Sequence, residues 1–213
     1  MRRVLRLPEG STVRGLAPDG TVVVLQLLRT SDGEIRLRAI GHETPVRTSS
    51  GGLTVALALI KRMAHLDFVI EKGTELGVSA WWAVLTAHCA DAGLMRSYVH
   101  RLARWRRIAE AASLQSGRSV VPEIRGVLSW EELLREAGAC PRRYVAVPHA
   151  KIRLRDTPRQ PSSRALFLVG PEGGWSRAEE SSLQEAGFVP VALGHTVLRS
   201  ETAALVGSVL LAP

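Results

Sequence analysis

Apolar residues recur along this chain in two rhythms. Before residue 41, "STVRGL", "TVVVLQLL" and "EIRLRAI" alternate or run apolar, and "APDG" and "TSDG" separate them. Alternation sends successive side chains to opposite faces of a strand, while Gly, Pro, Asp and Ser break pairing, so strands and turns are predicted with no helix. A polar connector, "GHETPVRTSSGG" at 41–52, closes this stretch. Residues 1–45 therefore read as a small β module, and residues 53–213 as a second domain.

The second rhythm alternates strand with helix. "LTVALALI" and "WWAVLTA" read as strands around a helix from Met63 to Leu76, whose Met63, Leu66, Val69, Ile70 and Gly73 keep one face apolar or small. A longer helix is predicted from Leu94 to Gln115. Leu94, Tyr98, Leu102, Trp105, Ala109 and Ala112 form its stripe, and Arg96, Arg104, Arg106 and Arg107 face away. A strand near Val121 to Val127 follows, then a helix opened by "SWEE", where Ser129 and Glu132 suit a capping box. "RYVAVPH", "RALFLVG" and "FVPVALG" read as strands, with helices at 176–187 and 200–211. Such alternation implies an α/β fold, a parallel sheet covered by helices.

Charge adds a partner class. With 28 Lys+Arg against 20 Asp+Glu in 213 residues, the formal charge is +8, which favours a polyanion. Lys61, Lys72 and Lys151 are the only lysines, so the charge is mostly arginine, suited to phosphate but also produced by G+C-rich coding. No apolar run approaches the roughly 20 residues a membrane helix needs, and "MRRVLRLPEG" lacks the features of a signal peptide. Cys89 and Cys140 lie far apart without metal-ligand spacing, so a reduced cytosolic protein without metal is expected.

Candidate chemistry sits where apolar strands end, at "GPEGG" (170–174) and "LGHTVLRSE" (193–201). In open α/β sheets ligands bind beyond the carboxyl ends of strands. Glycine lets main-chain groups approach a ligand closely, so the first loop suits a nucleoside. On the other reading it merely turns the chain, with Ser176 and Glu179 capping the next helix. It is not a phosphate loop, since neither GxxxxGK[ST] nor GxGxxG occurs. Ser200 reads as a cap for the last helix with Glu201 against its dipole, while Arg199, if core-facing, needs a partner.

"FVIEKGTELGV", "QSGRSVVPEI", "LVGPEGGWSRAEE" and "LGHTVLRSETAAL" together resemble the bacterial 16S ribosomal RNA (uracil-N3)-methyltransferase family of the SPOUT superfamily, over residues 53–211. The resemblance implies a parallel sheet with a C-terminal trefoil knot, an S-adenosylmethionine pocket in the knot loops, a homodimer, and an N-terminal PUA-like β-barrel for RNA. Carried over residue by residue, the cofactor loops are Gly170, Pro171, Glu172, Gly173 and Gly174, led by Leu168 and Val169, and Leu193, Gly194, Val197, Leu198 and Arg199. Three departures stand out. Relatives carry residues ahead of "RVLRL", so the barrel is expected to lack its first strand or the start to be late; His88 stands where arginine is common, and Leu114 where glutamate is frequent. N3 methylation requires loss of the imide proton and stabilisation of charge on O2 and O4 of the base, for which Arg199 and Arg118 are the candidates. Arg118 equally suits a phosphate contact or a helix-end ion pair. The proton acceptor is open among Glu172, Glu201 and water. A SPOUT enzyme acting on tRNA and a noncatalytic RNA-binding protein are the competing functions; 16S ribosomal RNA, in the decoding region of the small subunit, is the partner the resemblance implies.

Overall fold

A computed structural model of the chain describes residues 7–17, 21–29, 34–43, 51–59, 63–88, 92–158, 160 and 162–212. Parts of the predicted turns near 18–20 and 30–33, connector residues 44–50, and Cys89 lie outside these, as do the side chains of Met63 and Leu94. Contacts divide the chain into two compact units, one taking residues 1–47 and 113–120, the other 48–112 and 121–213.

In the first unit the alternating segments form β1 (Thr12–Leu16), β2 (Val22–Arg29) and β3 (Ile35–Glu43). Among the described residues they make a three-stranded antiparallel sheet in chain order, pairing Thr12 with Gln26 and Val22 with Glu43.

The second unit is built on a seven-stranded parallel sheet: β4 (Leu53–Ala58), β5 (Val78–Val84), β6 (Glu123–Leu128), β7 (Arg142–Ala146), β8 (Ile152–Arg153), β9 (Ala165–Val169) and β10 (Val189–Ala192). Their spatial order is β6-β5-β4-β9-β7-β10-β8. The helices are α1 (Met63–Glu75), α2 (Ala92–Ser116), α3 (Trp130–Ala137), α4 (Arg177–Glu185) and α5 (Ser200–Leu211). The capping box of Ser129 and Glu132 opens α3 as expected. Strand β8 and the single 3-10 turn after it, Leu154–Asp156, escaped the pattern, because two paired residues are too few to show a period.

Burial explains the uninterrupted apolar run of β9. All five of its residues are buried, as a central parallel strand covered on both faces requires. Ala165, Phe167 and Val169 join one core with Leu66 and Val69 of α1, Trp105 of α2 and Ala204 of α5. Leu166 and Leu168 join the other, with Leu133 of α3 and Leu183 of α4. Tyr98, Trp105, Ala109 and Ala112 of the α2 stripe are buried. Arg104 is exposed, on the face away from the stripe as expected, and there binds Asp67 of α1 at 2.9 Å through Nε and 2.8 Å through a terminal nitrogen. The same carboxylate accepts from the Trp105 indole at 2.8 Å, so this arginine joins two helices.

Two glycines set how close helices come to the sheet. A Cβ on Gly207 of α5 would lie 2.0 Å from Cε1 of Phe167, and one on Gly73 of α1 would lie 2.1 Å from the Trp81 ring. Neither ring is a flexible tip able to swing aside, since Phe167 is 0% and Trp81 3% exposed. Gly207→Ala is therefore expected to destabilise the fold by about 1–3 kcal/mol through overpacking, although in an open helix the same change would stabilise by roughly 1 kcal/mol. Denaturant unfolding with an unchanged or higher midpoint would show that α5 tolerates displacement from β9.

Candidate cofactor site

The carboxyl ends of β9, β7 and β10 stand side by side, and the segments leaving them enclose a cavity of about 400 Å³. One wall is Ala146 to Pro148; a second runs from Val169 through the glycine-rich loop to Trp175; the third comes from Val191 to Ser200, with Ala203 behind it. That volume falls in the class that holds a drug-sized organic ligand.

Each segment adopts its path for a local reason. Strand β9 ends because Pro171 offers no N–H to extend a ladder. Gly170 must be glycine for packing, since a Cβ there would lie 2.8 Å from the Trp175 ring. Gly174 must be glycine for its backbone, at φ 73° in the left-handed region. Gly173 has no such φ; a Cβ there would lie 3.3 Å from the Cβ of His88. After the loop, Ser176 and Glu179 form a capping box, with Ser176 N donating to Oε2 at 2.8 Å and Glu179 N to the Ser176 hydroxyl at 3.3 Å. The loop thus turns the chain, caps a helix and walls a cavity at once, so the two readings of its sequence do not compete.

Glu179 has a further role that spacing concealed. The residue is 5% exposed, and its Oε1 accepts from Ala87 N, beyond the end of β5, at 2.8 Å. The next residue, His88, places Nδ1 3.0 Å from the Gly174 carbonyl oxygen. The segment after β5 is thereby bolted to the glycine-rich loop.

The two cavity loops are tied directly as well. Ser200, expected as a helix cap, instead donates its hydroxyl to the Gly170 carbonyl at 2.8 Å. The N-cap is Arg199, extended at φ −65° and ψ 154° and without a side-chain cap. Arg199 is not core-facing: it is exposed, lines the cavity, and makes no side-chain hydrogen bond among the described residues. Glu201 accepts at 2.9 Å from Nδ1 of His65 on α1. Burial alone would raise the Glu201 carboxyl, but its own N–H at the helix start, the His65 ring and the Arg199 charge outweigh that and hold it below the usual carboxylate range.

The structure gathers Val169, Gly170, Pro171, Glu172, Gly174, Leu193, Gly194, Val197, Leu198 and Arg199 around the cavity. Leu168 instead lies in the sheet core, fully buried, and Gly173 stands behind the wall against His88. Arg118 lies in the first unit, where burial lowers its guanidinium from its usual value. Sequence reasoning missed Ala146, Val147 and Pro148, yet "RYVAVPH" is also an apolar strand ending at a proline, the same signal that marks "GPEGG". The cavity suits a nucleoside-bearing cofactor. Its wall carries apolar Val169, Val191 and Ala203 beside loop main chain, and Cβ atoms at Gly174 and Gly194 would meet nothing within 4 Å.

Because the folded-state Glu201 carboxyl is held down, its contribution to stability is full above the ordinary carboxylate range and is lost as pH falls through the lowered value. Glu201→Gln should lower stability at neutral pH and shrink that acid loss. Chemical denaturation at several pH values checks this; parallel stability curves for both proteins would show that the His65 contact contributes nothing.

Comparison with known proteins accords with this site. A sequence model of the RNA methyltransferase domain matches residues 47–212. Ribosomal RNA small subunit methyltransferase E of Mycobacterium bovis is 35% identical over 180 residues, covering 82% of this chain and 67% of that protein. This chain spans about two thirds of the length of the first such relatives. Ribosomal RNA small subunit methyltransferase E of Neisseria gonorrhoeae, solved bound to S-adenosyl methionine, is 29% identical with a TM-score of 0.79, covering 96% of this chain and 84% of that one. A Legionella pneumophila protein, solved with the bound cofactor SAM, is 29% identical with a TM-score of 0.83, covering 98% and 85%. With a family match that spans the whole parallel sheet and the loops around its cavity, the chain belongs to the RNA methyltransferase domain family, in the branch of the ribosomal RNA small subunit methyltransferases E.

Proposed function

We propose that this chain transfers the methyl group of S-adenosylmethionine to N3 of a uridine in 16S ribosomal RNA, in the decoding region of the small subunit. The observation that carries the reading is the cavity between "GPEGG" and "LGHTVLRS", laced by Ser200 onto Gly170, in a chain of this family. Solved relatives bind S-adenosylmethionine, and it is the cofactor of this chain. Bound there, it supplies an electrophilic methyl on a sulfonium.

The protein's own groups do the rest. Main chain at Gly170 to Gly174 and Leu193 to Leu198 holds the nucleoside and its tail, and Val169, Val191 and Ala203 keep that space dry, so reactants meet in a fixed geometry. Arg199, exposed at the cavity and uncommitted to any hydrogen bond among the described residues, offers a planar fork for the charge that develops on O2 or O4 of the base. Arg118 is the second arginine assigned to the base. Residues 1–45 serve as a PUA-like RNA-binding module built on β1–β3, and residues 53–213 as the SPOUT domain. A trefoil knot in that domain is supported by its path: β10 lies across β7 from β9, and α5 then returns to pack on β4 and β9. A homodimer is supported by α5, where Val209 is 57% exposed and Leu205, Val206 and Leu210 are only half-buried, leaving apolar surface beyond what the sheet covers.

Mass-spectrometric mapping of methylated uridines in ribosomal and transfer RNA, with and without the gene, tests the target. Methylation found only on tRNA would redirect the assignment. Arg199→Ala should lower the single-turnover rate at saturating RNA by about 100-fold or more while cofactor affinity holds, as for a group acting on transition-state charge. Arg107→Ala, on the exposed face of α2, should weaken RNA binding and reduce its salt dependence by about one unit of slope, leaving the saturated rate intact. A concentration-independent monomer mass in light scattering would rule out the dimer.

A further inference from the structure

Two ionisable side chains line the cavity, one of each sign: Glu172 on the segment after β9 and Arg199 on the segment after β10. Arg199 has an electrostatic counterpart within its own wall. Its charge acts on the Glu201 carboxylate, which also sits in the first turn of α5 against the positive end of that helix. Glu172 has no such counterpart: it is exposed and forms no ion pair among the described residues. Glu179, further along the same segment, does not line the cavity and is buried in its contacts with Ala87 and Ser176. The negative charge left unanswered at the cavity is therefore that of Glu172, since a glutamate in contact with water is ionised at neutral pH.

That charge bears on a problem set by the cofactor. S-adenosylmethionine carries a sulfonium, and once the methyl group has left, the sulfur of S-adenosylhomocysteine is a neutral thioether. The two molecules otherwise differ by one methyl group, so apolar walls and main-chain contacts distinguish them poorly. A fixed charge distinguishes them by sign. It need not touch the sulfur to do so: a cavity of about 400 Å³ is roughly 9 Å across if round, within the ~8–10 Å over which ordinary salt screens a charge. A sulfonium held anywhere in this space feels the Glu172 carboxylate, and a thioether does not.

We propose that Glu172 reads the sulfonium charge, so that the site favours S-adenosylmethionine over its by-product, an inference that rests on this cavity being where the chain binds its cofactor. Before transfer, the carboxylate attracts the sulfonium. After transfer the attraction lapses, because the electron pair of the broken methyl–sulfur bond stays on sulfur and cancels its charge. The by-product is then held by shape and main chain alone and leaves more readily. Glu172 thus sets a preference between two ligands of the same outline, while Arg199 on the other loop answers charge on the base.

The test is calorimetric titration of the full chain with three ligands: S-adenosylmethionine, S-adenosylhomocysteine, and sinefungin, in which an amine-bearing carbon replaces the methylated sulfur and keeps a positive charge there. Glu172→Gln, which removes the charge at nearly constant shape, should weaken S-adenosylmethionine and sinefungin about fivefold, the scale of one unit charge acting through a partly wet site. S-adenosylhomocysteine should hold within about twofold. Glu172→Asp, which keeps the charge, should keep the wild-type preference. Raising salt from about 0.05 to 0.5 M should narrow that preference in the wild type and leave the Gln variant unchanged. Equal loss for all three ligands would overturn the proposal by assigning the carboxylate to the α-ammonium they share, and no loss for any of them would show that Glu172 serves only the solvent. An unchanged preference in Glu172→Gln with slower methylation at saturating cofactor would instead make Glu172 the acceptor of the N3 proton. A wild-type protein that binds none of the three would remove the cofactor reading of the cavity, and the proposal with it.

Discussion

The depth at which α5 lies on β9 depends on one absent side chain. Gly207 brings the helix axis close enough for Phe167 to occupy the space where a Cβ would be, and the two surfaces interlock without a void. Ser200 lies seven residues earlier, about 10 Å along the same helix, and at that depth its hydroxyl meets the carbonyl of Gly170 where β9 ends. The contact between a buried ring and a glycine therefore sets the position of a cavity wall two helical turns away. Gly73 on Trp81 does the same for α1, whose His65 then reaches Glu201. Packing in the core and order at the site are one constraint.

Polar groups around the cavity divide into those spent on holding loops and those left for a substrate. Glu179, Ser200 and Glu201 each have partners within the fold. Arg199 and Glu172 face the cavity without such commitments among the described residues. Fixing the loops with buried or half-buried hydrogen bonds lets the exposed groups act from defined places, since a bond formed away from water is costly to break. Loop conformation and reactivity are thus assigned to different side chains, even where those side chains are neighbours in sequence, as Arg199, Ser200 and Glu201 are.

Much of the sheet was legible because burial on both faces leaves a plain mark. The runs "RALFLVG" and "LTVALALI" read as strands of a parallel sheet, and β9 and β4 prove to be paired at its middle. The helices α1 and α2 were readable from their stripes, and α5 from its place after a strand and its start signals. Strand β8 was not, since a two-residue ladder carries no period. Contacts across the chain were hidden for a different reason: Ser200 has the identity of a good cap, and only the approach of Gly170 diverts its hydroxyl. Arg104 likewise faces solvent as its sequence position implies, but only the fold shows that it also binds Asp67 on another helix. Local rules describe what a residue can do next to its neighbours, and long-range partners decide which of those options is taken. The glycine-rich loop was found by its strand end, whereas its bond to His88 left no mark in spacing at all.

The strand order has a consequence for how the molecule comes into being. Strand β9 joins β4 to β7, with Leu53 beside Ala165, although the chain makes β4 through β8 before it. Until that strand emerges during synthesis, β4 and β7 have no common neighbour, and β7 stands apart from the β4–β6 piece with apolar edges open. Pairings so distant along the chain close slowly, and exposed edges invite association with other chains in the interval. A nascent chain of this kind gains its binding cavity only once β9, β10 and the loops after them are made, so a ribosome that stalls before β9 releases a fragment with much of the hydrophobic surface and one wall of the site, Ala146 to Pro148.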